Sequence, residues 1–497
     1  ALASDVKNSG NLGANVALAA KMVIENGATL RTAATVTTNS PIKFETEEGG
    51  IIDNPNDFTA NKILSGTVAY KKGGGTLILT NNNTSLNKLV LVAGTIKNQA
   101  ITIPAKAVEL QGGTLTESRS TSYPISVAKG KSATWNLAER NTYSNKITGE
   151  GTLSIYCPLV SGGSWMAPRT PIKCNMSEFE GTIKPLMPYK DNRFTLDNSY
   201  GLPKGTMDIA EGIEVQNSGK TFAIGKVTGT GALGGLVDFG HGVSGYNTWK
   251  VGNETNYRWS GKVTGTSTAF VKIGTGKLTV GASWDNTGSV KVAEGELCLT
   301  SGNVIGTGAV VVDKDACLSG VTGTTALTNS SFTINGELVV GAFANATSGK
   351  INFGGKNVTI SSTGKYVVGK GAYSNTTIDD INTLTINGTV EVVLGSSYTP
   401  KDGDVITLWT ANQFAGTPNY VLPNLPLGMA WDMSKISEGK LTVVSDPTAI
   451  GVVPFAAKYG RNDIYDLKGQ LVRKNATSTE GLPSGVYFRN GKKIVVK

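Results

Sequence analysis

One histidine, His241, stands in 497 residues. That count excludes any multi-histidine metal site and leaves one possible imidazole base. No serine or cysteine motif accompanies it, and Asp238-Phe-Gly240 and Gly242-Val-Ser-Gly245 around it read as loop. Charged residues make up only 17% of the chain, and helical periodicity is nearly absent. No hydrophobic run approaches the ~18 residues a membrane-crossing helix needs, so no transmembrane segment is expected. The start, Ala1-Leu-Ala-Ser-Asp5, shows no basic region followed by an apolar stretch. An export signal is therefore expected to lie upstream or to have been removed.

What is present is glycine, 63 residues of it, with abundant threonine, asparagine, serine and valine. This composition alternates corners with strands and argues for one long β-rich body rather than several ordinary domains. A small pattern recurs. Lys72-Gly-Gly-Gly75-Thr-Leu77-Ile-Leu79 leads to Ala93-Gly94-Thr-Ile96, and Gly274-Thr-Gly276-Lys-Leu278-Thr-Val280 leads to Glu294-Gly295-Glu-Leu297. In both copies the second aliphatic comes 19 residues after the first. The period is too long for a heptad and too short for a domain, but suits one coil of a solenoid built from short strands. Degenerate copies include Lys146-Ile-Thr-Gly149, Lys226-Val-Thr-Gly229 and Lys262-Val-Thr-Gly265. Each unit joins alternating aliphatic and small polar residues to a turn, reading as strand, corner, strand. One such strand cannot bury its apolar face, whereas parallel stacking on its neighbours buries that face and pairs its backbone. Leu77, Ile96, Leu278 and Leu297 are expected to point inward, with the glycines two residues before each at corners.

Cysteine is scarce: four residues in two local pairs, Cys157 with Cys174 and Cys298 with Cys317. Their even number and local spacing favour an oxidising compartment. Cys298-Leu299 aligns with Cys317-Leu318, 19 residues on. If one coil takes that length, the two sulfurs lie on adjacent rungs about 5 Å apart at Cα, within disulfide reach. The alternative is a pair of reduced, stacked side chains.

The formal charge is +9, mostly from lysines spread along the whole chain. A nucleic-acid binder would cluster them among aromatics, and no such block occurs, so no nucleic-acid partner is expected. Dispersed charge reads as solubilising, with attraction to acidic polysaccharide or a lipopolysaccharide surface as the alternative.

Val263-Thr-Gly265 through Lys272-Ile-Gly274-Thr-Gly276-Lys-Leu278-Thr-Val280, then Asn286-Thr-Gly288-Ser-Val290 and Ala293-Glu-Gly295-Glu-Leu297, resembles the autotransporter-associated β-strand repeat. That repeat alternates a Gly-x-Gly-x-Leu-x-Leu strand with an Asn-Thr-Tyr-Thr-Gly-type corner; Trp284 and Asp285 depart from the corner pattern. The resemblance touches most of residues 1–445, of which 397–444 resembles a closing segment. It implies an all-β fold, a long single-stranded, right-handed parallel β-helix, in a secreted or surface protein. Residues 446–497 resemble the C-terminal sorting domain of Bacteroidetes proteins exported by the type IX system, in a version shorter than usual. The motif residues carrying this are Tyr465, Asp466 and Gly469, then Gly485 and Tyr487, then Gly491 and Lys492. This second resemblance implies a small antiparallel β-sandwich, a secretion or outer-membrane attachment machinery as partner, and a secreted or cell-surface location.

The remaining motifs divide between chemistry and architecture. Gly229-Thr-Gly231-Ala-Leu-Gly234 formally fits the dinucleotide fingerprint. The next residues, Gly235-Leu-Val-Asp-Phe-Gly240, cannot supply the helix that fingerprint needs, so it reads as a corner. Asp379-Asp380 and Asp313-Lys-Asp315 lack the glycine-spaced acidic loop of a calcium cage and read as exposed corners, with a weak surface site as the alternative. No cofactor or metal is assigned. Tyr246, Trp249, Tyr257 and Trp259, with Trp165 as a further candidate, could stack on sugar rings; the alternative is that they cap or broaden a coil.

Two functions fit these features. One is a non-catalytic secreted or cell-surface adhesin or stalk that contacts glycans on polysaccharide, host or bacterial surfaces. The other is a polysaccharide-degrading lyase or glycosidase on a β-helix, or the non-catalytic tail of one.

Overall fold

The computed structural model describes residues 22–81, 84–99, 105–157, 172–187, 193–235, 247–321, 323, 325–341, 349–372, 374–446, 462–489 and 492–497. Strands pair in parallel with their counterparts one coil on: Leu77 with Ile96 and Ile96 with Leu115, then far along the chain Leu278 with Leu297. All five side chains are completely buried. The period-two alternation therefore delivers its aliphatics to the interior of a parallel β-solenoid, as the repeats predict.

Three faces make a coil. Thr268–Lys272 lies on the first and Lys277–Val280 on the second, a single bridge from Trp284 to Ile305 marks the third, and Val290–Val292 returns to the first. Glycine closes the corner between the first two faces at equivalent places in both repeats. A Cβ on Gly94 would stand 2.3 Å from the Gly73 carbonyl, and one on Gly295 2.4 Å from the Gly274 carbonyl, each at positive φ. No other residue fits so close to the neighbouring coil. Asparagine seals the corner that leads back to the first face: buried Asn286 donates to the Thr268 and Gly288 carbonyls at 2.9 and 3.2 Å. Asn329 does the same for Ile305 and Gly308 at 3.0 and 2.9 Å.

Between the two clear repeats the strands lengthen and bend across a corner. Within Thr221–Gly229, residues 226–229 pair back to 206–209, while residues 221–224 pair forward to Thr248–Val251. Tyr257–Trp259 then lies against the second half of that strand, with Lys226 Nζ standing 5.4 Å from the Tyr257 ring centre. The second face passes in this way from Thr76–Leu79 to Lys277–Val280. The Gly229–Gly234 motif is a corner joining Thr221–Gly229 to Ala232–Gly234, as its surroundings suggest.

Contacts divide the chain into two units. The first runs to Tyr398 and includes Thr407–Pro423 and Ser437–Gly439; the second comprises Thr399–Ile406, Asn424–Ile436 and Lys440–Lys497. Within the second, Met429–Asp432 pairs antiparallel with Lys440–Ser445. Ile464–Tyr465, Leu471–Arg473, Gly485–Arg489 and Lys492–Val496 form a further antiparallel sheet of four strands. Its core is small: Ile464, Ala476 and Tyr487, with Leu482 and Val496 packed against them.

Candidate functional site: a groove on the second face

Among the described aromatic candidates, both tryptophans are turned inward rather than exposed. Trp249 is fully buried, its ring 5.7 Å from Phe222 and its Nε1 donating to the Gly234 carbonyl at 2.9 Å. Trp259 is buried against Trp284 at 6.1 Å. Both fill the coil interior, because each falls on the inward phase of its strand, where a large apolar ring excludes the most water. Tyr257 is half-buried, and burial pushes its phenol above the usual range. Tyr246, Trp165 and His241 lie outside the described residues.

The cysteine expectation is corrected by the register. All four thiols are free. Leu297 pairs with Leu318, which sets Cys298 opposite Ser319 and Cys317 opposite Glu296. The stretch 300–309, which leads from the second face back to the first, and the corner at Asp313–Asp315 each carry one residue more than their counterparts in the preceding coil, so the two sulfurs slip from opposite to diagonal. Diagonal partners on a sheet stand too far apart at Cα for a bond without backbone movement. Cys157 and Cys174 are buried. Burial drives both thiols up, Cys174 to about 12, so they are inert.

Outward residues of the second face line a groove of about 650 Å³. One column reads Lys277, Glu296, Cys317, Glu337, Lys365, each the register partner of the next. Beside it runs Thr279, Cys298, Ser319, Val339, Val367, Glu391. Lys277 pairs with Glu296 at 3.0 Å, and Lys365 with Glu337 at 2.7 Å and Glu391 at 3.3 Å. The Ser319 hydroxyl donates to Glu296. Buried Val339 and Val367 supply an apolar floor. A second depression of about 540 Å³ opens toward the corner and shares Cys317, Glu337 and Lys365 with the first. Contact with Glu296 and with Glu337 holds the two ammonium groups above the ordinary lysine range. Cys317 is pushed up to about 12, first by burial and then by Glu296 and Glu337 on either side.

One member of each acidic pair is held by a lysine: Asp313 binds Lys291 and Asp379, within the strand Thr376–Ile386, binds Lys350, both at 2.7 Å. Among the described residues no group of three or more histidine, cysteine or carboxylate side chains could hold a metal. In the C-terminal unit the Asp466 carboxylate accepts from the amides of Lys468 and Gln470 at 2.9 and 2.8 Å and shapes a turn with Gly469 at φ 74. Tyr465 and Tyr487 are buried, and Tyr487 donates to the Pro483 carbonyl at 3.0 Å. Gly485 opens the strand that carries Tyr487, Lys492 is exposed, and Gly491 lies outside the described residues.

Three interior charges had no signal in the sequence. Lys71 and Lys272 are fully buried, and burial pulls both down to about 8, opposed by Asp53 in one case and by Glu294 and Glu296 in the other. Buried Glu117 accepts from Tyr123 and from Asn98 Nδ2 at 2.9 Å; burial nevertheless raises it to about 7. The chain matches no protein-family model, and no curated protein is significantly similar to it.

Proposed function

We propose that this chain is a non-catalytic β-solenoid, secreted or displayed at a cell surface through its C-terminal segment, that holds a stretch of glycan in its second-face groove. The observation carrying this is the groove's construction. Six successive coils, from Lys277 to Glu391, contribute its lining. At about 4.8 Å per rung that is on the order of 24 Å, a length suited to an extended polymer rather than a small metabolite. Apolar floor, hydroxyls and paired charges offer the mixed surface that sugar rings take. Lys277 and Lys365, held as cations by their carboxylates, are poor proton acceptors, which favours binding over lyase chemistry. The Asp466–Gly469 turn and buried Tyr487 support the sorting-domain reading of the C-terminal segment, and with it a surface location.

A glycan array probed with the protein and with a Val339→Arg variant that fills the groove tests the binding. Retention lost in the variant supports the groove; equal retention moves the contact elsewhere. Incubation with pectin, glycosaminoglycan and plant β-glucan, monitored for reducing ends and unsaturated uronates, tests the alternative. Turnover there replaces this reading with an enzyme.

A further inference from the structure

The charge order of the groove departs from a simple alternation of sign. Along the solenoid, lysine on one rung faces a carboxylate on the next: Lys184 with Asp208 at 3.0 Å, Lys291 with Asp313 at 2.7 Å, Lys350 with Asp379 at 2.7 Å. In the groove the column runs lysine, carboxylate, thiol, carboxylate, lysine. Glu296 and Glu337 therefore flank a rung, that of Cys317, which supplies no cation. Each carboxylate binds the lysine at its outer side, and Glu296 also accepts from the Ser319 hydroxyl on the Cys317 rung; each still keeps acceptor sites free, since an ionised carboxylate offers about four. The thiol, held protonated, adds no charge of its own. The groove also sets two lysines, Lys277 and Lys365, against three carboxylates, Glu296, Glu337 and Glu391. It is thus locally acidic on a chain whose formal charge is +9.

We infer that the groove selects a glycan carrying free amino groups, and that one ligand ammonium seats over Cys317 between Glu296 and Glu337. This rests on the glycan-binding reading above and narrows it. An ammonium there restores the alternation of sign from rung to rung, and the apolar floor of Val339 and Val367 receives the ring face beside it. An acidic polymer would meet a groove in which three carboxylates share two lysines, so the basic chain as a whole does not predict the preference of its groove.

The test compares three oligomers of about six sugars, matched to the groove length, by calorimetry on the full chain: glucosamine, N-acetylglucosamine and galacturonate. The glucosamine oligomer should bind about tenfold or more tightly than its acetylated form at low salt, with the difference shrinking as salt rises. Glu296→Gln and Glu337→Gln should each remove most of that difference. Cys317→Lys, which builds the ammonium into the protein, should abolish the preference while keeping or raising the melting temperature; it guards against a carboxamide variant that fails to fold. Equal binding of the free and acetylated amino sugars overturns the ammonium site and leaves glycan binding standing. Tightest binding of galacturonate, or binding of none of the three, overturns it as well, and the array result then decides the broader reading separately.

Discussion

Lys71 and Lys272 occupy the same point in two distant coils, each turned inward in a column of aliphatics, between Ile52 and Leu91 in one case and Val251 and Val292 in the other. Lys71 Nζ donates to the carbonyls of Lys72, Gly73 and Ala93 at 2.7, 2.8 and 3.0 Å. Lys272 Nζ donates to Ile273, Gly274 and Glu294 at 2.8, 2.7 and 3.1 Å. Two acceptors come from the lysine's own corner and one from the next coil, so a single ammonium ties two corners together.

Replacing Lys272 with methionine keeps the apolar stem and removes the donors, leaving three carbonyls short of a partner. The loss should be about 2–4 kcal/mol. Urea denaturation checks it, and an unchanged midpoint would show that water satisfies the corner as well as the ammonium does.

Glu117 should make stability depend on pH. Its folded pKa, about 7, lies above the ordinary 4.5, so between those values the folded chain keeps a proton that the unfolded chain has released. Stability therefore falls as pH rises through that window and stays lower above it. Glu117→Gln removes the loss, which is of order 3 kcal/mol for a group this buried. The melting temperature of the variant should gain on that of the native chain from pH 4.5 to 7; a constant offset across the range would sink the assignment.

The repeats made the fold readable because apolar alternation and glycine corners are local signals. Leu77 and Leu278 announce their own burial, and Gly94 and Gly295 their own corners. The groove was not readable. Its column joins Lys277, Glu296, Cys317, Glu337 and Lys365 at unequal sequence spacings, and only the register across corners of different length aligns them. The same unevenness misplaced the Cys298 and Cys317 pairing. Trp249 and Trp259 were ambiguous for another reason: an aromatic residue looks alike in sequence whether it faces a sugar or a core.

Trp249→Ala should accordingly act as a core mutation, costing about 3–5 kcal/mol. Thermal unfolding measures that loss, and glycan retention per folded molecule should not change. Full stability with impaired retention would return Trp249 to the surface.

Leu278→Asp tests the register itself. The side chain meets Leu297 in the next coil with no polar partner, so burying a carboxylate there should cost several kcal/mol. Because neighbouring coils support one another, the damage should spread, and protease cleavage should appear in the coils on both sides of the substitution. Cleavage unchanged from the native pattern would mean that residue 278 faces solvent.

The C-terminal sheet should be the least stable part of the chain. Ile464, Ala476 and Tyr487, with Leu482 and Val496, are a small core, and Leu467 is 70% exposed beside it. Removing the Tyr487 ring takes away the largest of these side chains and its hydrogen bond to Pro483, a loss of about 3–5 kcal/mol that so small a core cannot absorb. Tyr487→Ala should therefore melt residues 462–497 while the solenoid keeps its own transition, visible as early proteolysis confined to the C-terminus. In the native host the same variant should accumulate inside the envelope if this segment directs export. Normal surface levels with the segment unfolded would separate display from its fold and leave it a terminal domain without a sorting role.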